Sequence, residues 1–121
     1  VLVTVGTHLL WRRERVLAAV RDAARTLPDV VFHVSDGDRA SGRLNVTGNV
    51  HQVGYVPYAR DLGRYDLVIH HGGTGAMYHA LAKGVPAIAL PADFDQFDNA
   101  ARLDASGAGV WVAALLLQQW R

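Results

Sequence analysis

Asp66-Leu67-Val68-Ile69-His70-His71-Gly72-Gly73-Thr74-Gly75-Ala76-Met77-Tyr78-His79-Ala80-Leu81-Ala82-Lys83-Gly84-Val85-Pro86-Ala87-Ile88-Ala89-Leu90 is the stretch that decides the fold. The apolar residues Leu67-Val68-Ile69 predict a strand over 66–70, and the glycines that follow predict a turn. Residues 75–83 place Met77, Ala80 and Leu81 on one helical face, and Gly84-Val85-Pro86 stops the helix. Ala87-Ile88-Ala89-Leu90 is then a second strand. Strand, turn, helix, turn and strand make a parallel βαβ unit.

The same alternation extends outward. Val1-Leu2-Val3-Thr4-Val5 predicts a strand closed by Gly6-Thr7. Arg12 to Leu27 carries Val16, Leu17, Val20, Ala23, Ala24 and Leu27 at helical spacing, with Pro28 as its stop. Val30 to Val34 is a strand, Ser35 to Gly48 a Gly-, Asp- and Ser-rich loop, and Val50 to Gly54 a strand. A short helix spans 58–64. Downstream, Asp95 to Ala105 is a helix with Phe97, Ala100, Ala101 and Ala105 inward, and Val110-Trp111-Val112 is the last strand. No internal repeat or linker interrupts the pattern.

Six strands apolar on both faces predict an α/β, Rossmann-like, doubly wound parallel sheet forming one domain over 1–121. With right-handed crossovers and order 3-2-1-4-5-6, ligands bind at the strand ends beside the topological switch. The turns at Gly6-Thr7 and at 71–75 are then expected to face one crevice.

Composition narrows the function. Twelve Lys+Arg against eleven Asp+Glu leave a net charge of +1, unlike the basic face of a nucleic-acid binder. The lack of Cys excludes disulfides, thiol catalysis and Cys-based zinc sites. The longest apolar run, Val110 to Leu117, has eight residues, against the ~18 of a membrane span. We therefore expect a cytoplasmic protein with no integral membrane segment. The opening on Val1 and the ending Gln118-Gln119-Trp120-Arg121 suggest part of a larger protein.

Gly72-Gly73-Thr74-Gly75 opens a helix directly after a strand, so backbone N–H groups could meet a phosphate. The alternative reading is a plain tight turn from strand to helix. The loop is neither a dinucleotide fingerprint nor a P-loop. His70 and His71 point to opposite faces of a strand, so one packs and the other faces the crevice. No His pair at i,i+4 and no matched carboxylate suggests a metal. Asp93, Asp95, Gln96 and Asn99 open the later helix, as capping groups or as partners for sugar hydroxyls. Tyr55 could stack on a base or close the core edge. Arg12, Arg13, Arg15, Arg21 and Arg25 fit a solvated helix face.

Taken in order, His71-Gly72-Gly73-Thr74-Gly75-Ala76-Met77-Tyr78-His79-Ala80, Gly84-Val85-Pro86, Pro91, Asp95-Gln96, Asn99-Ala100 and Gly107-Ala108-Gly109 resemble the donor-binding signature of GT-B glycosyltransferases. The likeness is to UDP-glycosyltransferases and macrolide-antibiotic glycosyltransferases. Val1 to Thr7 resembles the first strand of their C-terminal domain, and Gly54-Tyr55-Val56-Pro57 the start of the signature.

The resemblance implies the donor-binding half of an inverting glycosyltransferase. Such an enzyme moves a sugar from a UDP- or dTDP-sugar to an acceptor hydroxyl in natural product or glycolipid glycosylation. It implies that Gly6, Thr7, His71, Gly73, Thr74, Gly75 and Ala76 hold the diphosphate. Tyr55 and Val56 would meet the base, where Trp is usual in place of Tyr55. Asp95 and Gln96 would meet the donor sugar. His79 stands where the family has a ribose-binding Glu, and a neutral imidazole accepts one hydrogen bond where a carboxylate accepts two or more. Tyr58 stands where the family has Gln.

The acceptor-binding domain and its catalytic base lie outside this chain, so no catalytic residue is assigned within it. Neither cofactor nor metal is expected. The expected partners are a nucleotide-sugar and an acceptor-binding domain or subunit. A second expectation is a non-catalytic nucleotide-sugar-binding module, or a small subunit needing a partner chain, as in two-chain N-acetylglucosamine transferases. An epimerase on the same fold is a third.

Overall fold

Short strands alternate with helices because β-branched runs are repeatedly cut by glycine and proline. The computed structural model describes residues 1–4, 10–36, 44–91 and 94–112, which belong to two compact units, Val1–Val56 and Pro57–Arg121.

The first unit contains β1 (Leu2–Thr4), α1 (Leu10–Thr26), β2 (Phe32–Ser35), β3 (Leu44–Thr47) and β4 (Val50–Val53). β1 pairs parallel with β2, Leu2 opposite His33, and β2 pairs parallel with β4, Phe32 opposite Val50. β3 was not expected. It pairs antiparallel with β4, Leu44 opposite Val53 and Thr47 opposite Val50. The stretch from Ser35 to Gly48 is therefore not all loop: Ser35 closes β2, and Leu44–Thr47 form the hairpin partner of β4. Gly48, at φ +60, takes the first of two turn positions, where glycine suits a tight hairpin. All four β3 side chains are exposed, so no burial pattern betrays this strand.

On α1, Val16, Leu17, Val20 and Ala24 are buried as predicted. Ala23 is exposed, and Leu27 lies past the helix end, also exposed. Asn49 secures that end, its Nδ2 donating to the carbonyls of Ala24, Leu27 and Val30 at 2.8–3.2 Å. Arg13 departs from the solvated face: it is half-buried, and its Nη2 donates to the Asp36 carbonyl at 2.6 Å. Arg15, Arg21 and Arg25 are exposed.

The second unit contains α2 (Tyr58–Asp61) with a 3-10 turn over Leu62–Arg64, then β5 (Val68–His70), α3 (Thr74–Ala82), β6 (Ala87–Ala89), α4 (Phe94–Ser106) and β7 (Gly109–Trp111). β5, β6 and β7 are parallel neighbours in that order, Val68 opposite Ala87 and Ala87 opposite Gly109. Leu62, Val68, Ala89 and Ala100 are fully buried and Leu103 nearly so. α3 buries Ala76, Met77 and Ala80, whereas Leu81 is exposed. α4 buries Ala100 and Leu103, an i,i+3 pair. The predicted inward face is rotated from this stripe, so Ala101 and Ala105 are exposed. Phe97 is also exposed, edge-on to Trp111 at 6.2 Å between ring centres.

Seven strands, where six were expected, are present among the described residues. Among these residues, no helix is long and apolar enough to cross a membrane. No group of three or more His, Cys, Asp or Glu among them could hold a metal ion.

Candidate functional site

β5 ends in a turn that is held from three sides within the second unit. The Gly72 N–H donates to Nδ1 of His70 at 2.9 Å. The Gly72 carbonyl accepts from Nδ2 of Asn99 on α4, also at 2.9 Å. A Cβ on Gly72 would lie 2.8 Å from the Gln96 carbonyl oxygen, and the residue sits at φ +89. Only glycine combines that close approach with a left-handed backbone. The His70 carbonyl in turn accepts the Leu90 N–H at 2.7 Å, anchoring the strand end behind the turn.

His70 is buried, with 1% of its surface exposed. Because Nδ1 accepts a hydrogen bond, the proton of the neutral ring lies on Nε2. Burial, with a smaller contribution from neighbouring His71, lowers its pKa to about 4, so the ring is neutral at physiological pH.

α3 begins immediately beyond. Gly73 is its N-cap, in extended backbone, and among the described residues no side chain caps this end. The first helical hydrogen bond runs from the Met77 N–H to the Gly73 carbonyl. The N–H groups of Thr74, Gly75 and Ala76 therefore lead the helix without an intrahelical acceptor. The His71 ring lies over Gly73, its Cε1 2.7 Å from where a Cβ would stand. Among the described residues, the nearest atom to a Cβ added at Gly75 would be Cε2 of Tyr58, at 4.0 Å. An anion can approach this helix end, where the dipole contributes about 0.3–1 kcal/mol.

The structure thus brings His71, Gly73, Thr74, Gly75 and Ala76 together at one helix end. Gln96 packs its backbone against that turn, and Asp95 precedes it, exposed on the first turn of α4. His79 lies on α3 and faces Tyr58, ring centres 6.2 Å apart. The two positions that depart from the signature are therefore neighbours. In the first unit Tyr55 is 41% exposed and Val56 is buried. Gly6, Thr7 and Asp93 lie outside the described residues. Sequence reasoning left open which of His70 and His71 packs, and grouped Asn99 with the residues that cap α4 or meet a sugar. The shared hold of His70 and Asn99 on Gly72 depends on strand and helix meeting in space, which spacing alone does not reveal.

Residues 15–117 match the family described as the erythromycin biosynthesis protein CIII-like C-terminal domain. The chain belongs to that family. This CIII-like domain is 31% identical over 117 residues to human UDP-glucuronosyltransferase 1A9, covering 95% of the chain and 22% of that enzyme. It is 34% identical to spinosyn rhamnosyltransferase SpnG complexed with spinosyn aglycone, with a TM-score of 0.74, covering 98% of the chain and 32% of that protein. The glycosyltransferase SnogD from Streptomyces nogalater is 31% identical, with a TM-score of 0.67, covering 93% of the chain and 29% of that protein. A further SpnG structure, 34% identical with a TM-score of 0.65 over 91% of the chain and 31% of that protein, is complexed with thymidine diphosphate. The CIII-like domain spans about a fifth to a third of the length of these relatives. Its fold is α/β and Rossmann-like, that of the C-terminal half of a GT-B glycosyltransferase. The relatives are transferases, and the chain corresponds to a C-terminal domain of such enzymes.

Proposed function

We propose that this domain holds a UDP- or dTDP-sugar for an inverting glycosyl transfer. The observation that carries the proposal is the N-terminus of α3, which no side chain caps among the described residues, with glycine at its entry and His71 beside it. In the proposed reaction an acceptor hydroxyl, deprotonated by a base outside this chain, attacks the anomeric carbon. The bond from that carbon to the diphosphate oxygen breaks, and the electron pair leaves with the diphosphate. Negative charge then grows where the Thr74, Gly75 and Ala76 N–H groups and the His71 ring converge. Fixed donors stabilise such charge more in the transition state than in the ground state. They supply the electrostatic role a divalent ion would otherwise play, so no metal is required in this scheme.

Asp95 and Gln96 are proposed to hold the donor sugar, as an ionised acceptor beside an amide that both donates and accepts. The sequence resemblance alone assigns Tyr55 and Val56 to the base and Gly6 and Thr7 to the phosphates. At the ribose, His79 accepts a single hydrogen bond where a carboxylate would accept more. That substitution favours a second reading, a module that binds weakly and does not turn over.

Calorimetry with UDP, dTDP and their sugar conjugates tests the proposal. Asp95→Ala should weaken the sugar conjugate about 10–150-fold, the loss of a hydrogen bond to a charged group, and leave the free nucleotide unchanged. Equal losses for both ligands would return Asp95 to a helix-end role. A folded wild-type protein that takes up neither nucleotide would favour the non-catalytic module.

A further inference from the structure

Three residues, His71, Gly72 and Gly73, connect β5 to α3, and the last two are glycines. A Gly-Gly pair is the most permissive backbone a chain can offer. A ligand that had to order it on binding would lose affinity to that ordering, so a tight phosphate turn requires restraint in advance. Three restraints converge on Gly72: the Asn99 amide on its carbonyl, the Gln96 backbone against its Cα, and the His70 ring on its N–H. The last of the three arises from the buried strand itself. It also removes the Gly72 N–H from the donors available to a ligand, leaving those of the first turn of α3.

The other side of the His70 ring makes the choice of imidazole informative. Nε2 is buried and has no hydrogen-bond partner among the described residues, although it must carry the ring proton. A leucine or phenylalanine would fill the same fully buried volume without leaving a donor unpaired. An imidazole here is unfavourable as packing, and its Nδ1 contact is what offsets that cost.

We propose that His70 is a positioning residue, locked as the Nε2–H tautomer, whose Nδ1 holds Gly72 so that the first turn of α3 is preset to receive a diphosphate. This rests on the reading of that turn as the diphosphate site. The ring touches no ligand itself. It acts through Gly72, and its lowered basicity keeps Nδ1 available as an acceptor throughout the physiological range.

The experiment compares wild type with His70→Asn, His70→Gln and His70→Leu. An Asn side chain can place an acceptor near the Nδ1 position; Gln reaches the Nε2 position, and Leu has no acceptor. Three quantities are measured: the His70 tautomer by long-range proton–nitrogen NMR, hydrogen exchange at the Gly72 amide, and the affinity for dTDP and UDP. We expect an Nε2–H tautomer in wild type. His70→Leu and His70→Gln should speed Gly72 exchange and weaken nucleotide binding, each about tenfold, the value of one hydrogen bond. His70→Asn should recover most of both.

An Nδ1–H tautomer, or a folded Leu variant with wild-type exchange and affinity, would overturn the proposal. Equal losses in the Asn and Leu variants would overturn it as well, since they would reflect packing alone. If Leu does not fold, the tautomer and the Asn–Gln difference decide the matter. If wild type binds neither nucleotide, the diphosphate reading fails and the ligand-positioning role with it, while tautomer and exchange still report whether His70 holds Gly72.

Discussion

Replacing Gly73 with alanine should separate ligand binding from folding. The residue has φ −68 and ψ 148, extended backbone that alanine adopts without strain. The new Cβ would drive into Nε2 of the His71 imidazole, with Cε1 at 2.7 Å and Cδ2 at 3.4 Å. Ordinary carbon contacts lie at about 3.5–4 Å, so the ring must withdraw by roughly 1 Å. That shift turns a half-buried ring whose Nδ1 is buried, so it offsets part of the gain that follows. Alanine also narrows the unfolded ensemble, which favours the folded state by about 0.4–1 kcal/mol. The melting temperature should therefore stay level or rise slightly. If His71 bonds the diphosphate, its displacement forfeits a hydrogen bond to a charged group, about 1.5–3 kcal/mol, or roughly 10–150-fold in Kd. Calorimetry with dTDP and UDP, paired with a thermal melt, reads both effects. Gly72→Ala is the contrasting control: at φ +89 and with Gln96 backbone at 2.8 Å, it should lose stability before it loses affinity. Affinity of Gly73→Ala within about threefold of wild type would refute the role of His71.

The pH dependence of stability follows from His70. Its folded pKa of about 4 lies below the ordinary 6.5, so the unfolded chain takes up the proton first as pH falls. Stability contributed by the neutral ring is complete above about pH 6.5 and declines to a floor near pH 4, by about 3 kcal/mol in all. Denaturant melts should show this decline in wild type and lose it in His70→Asn. Gly109→Ala should destabilise the second unit, because its Cβ would drive into the Ala87 carbonyl of β6 and stand 3.0 Å from Cδ2 of Leu103. Overpacking of this kind costs about 1–3 kcal/mol, a fall of roughly 4–12 °C in melting temperature by calorimetric scan.

Strands with apolar periodicity were legible in the sequence: β1, β2, β4, β5 and β6 all fall within or beside the predicted runs. β3 was not, because Leu44, Asn45, Val46 and Thr47 are all exposed at a sheet edge, and its strongest signal was the Gly48-Asn49 turn. The inner face of α4 was misplaced for a related reason. Phe97 is the most apolar residue of the predicted face but sits against the edge-strand residue Trp111, while Leu103 and Ala100 reach the core. At the candidate site, glycine spacing correctly marked the turn before α3. The partners of Gly72 come from β5 and α4, 2 and 27 residues away along the chain, and pairing at the longer range is set by tertiary packing.

Titration of the nitrogen-15-labelled protein with dTDP, followed amide by amide, tests most directly whether the first turn of α3 receives the diphosphate. Saturable shifts should be largest at Thr74, Gly75 and Ala76, where N–H groups lead α3 without intrahelical acceptors, and smaller at Gly72, whose N–H is already bonded to His70. Saturable shifts confined to other segments, or none at all in a folded protein, would contradict that assignment.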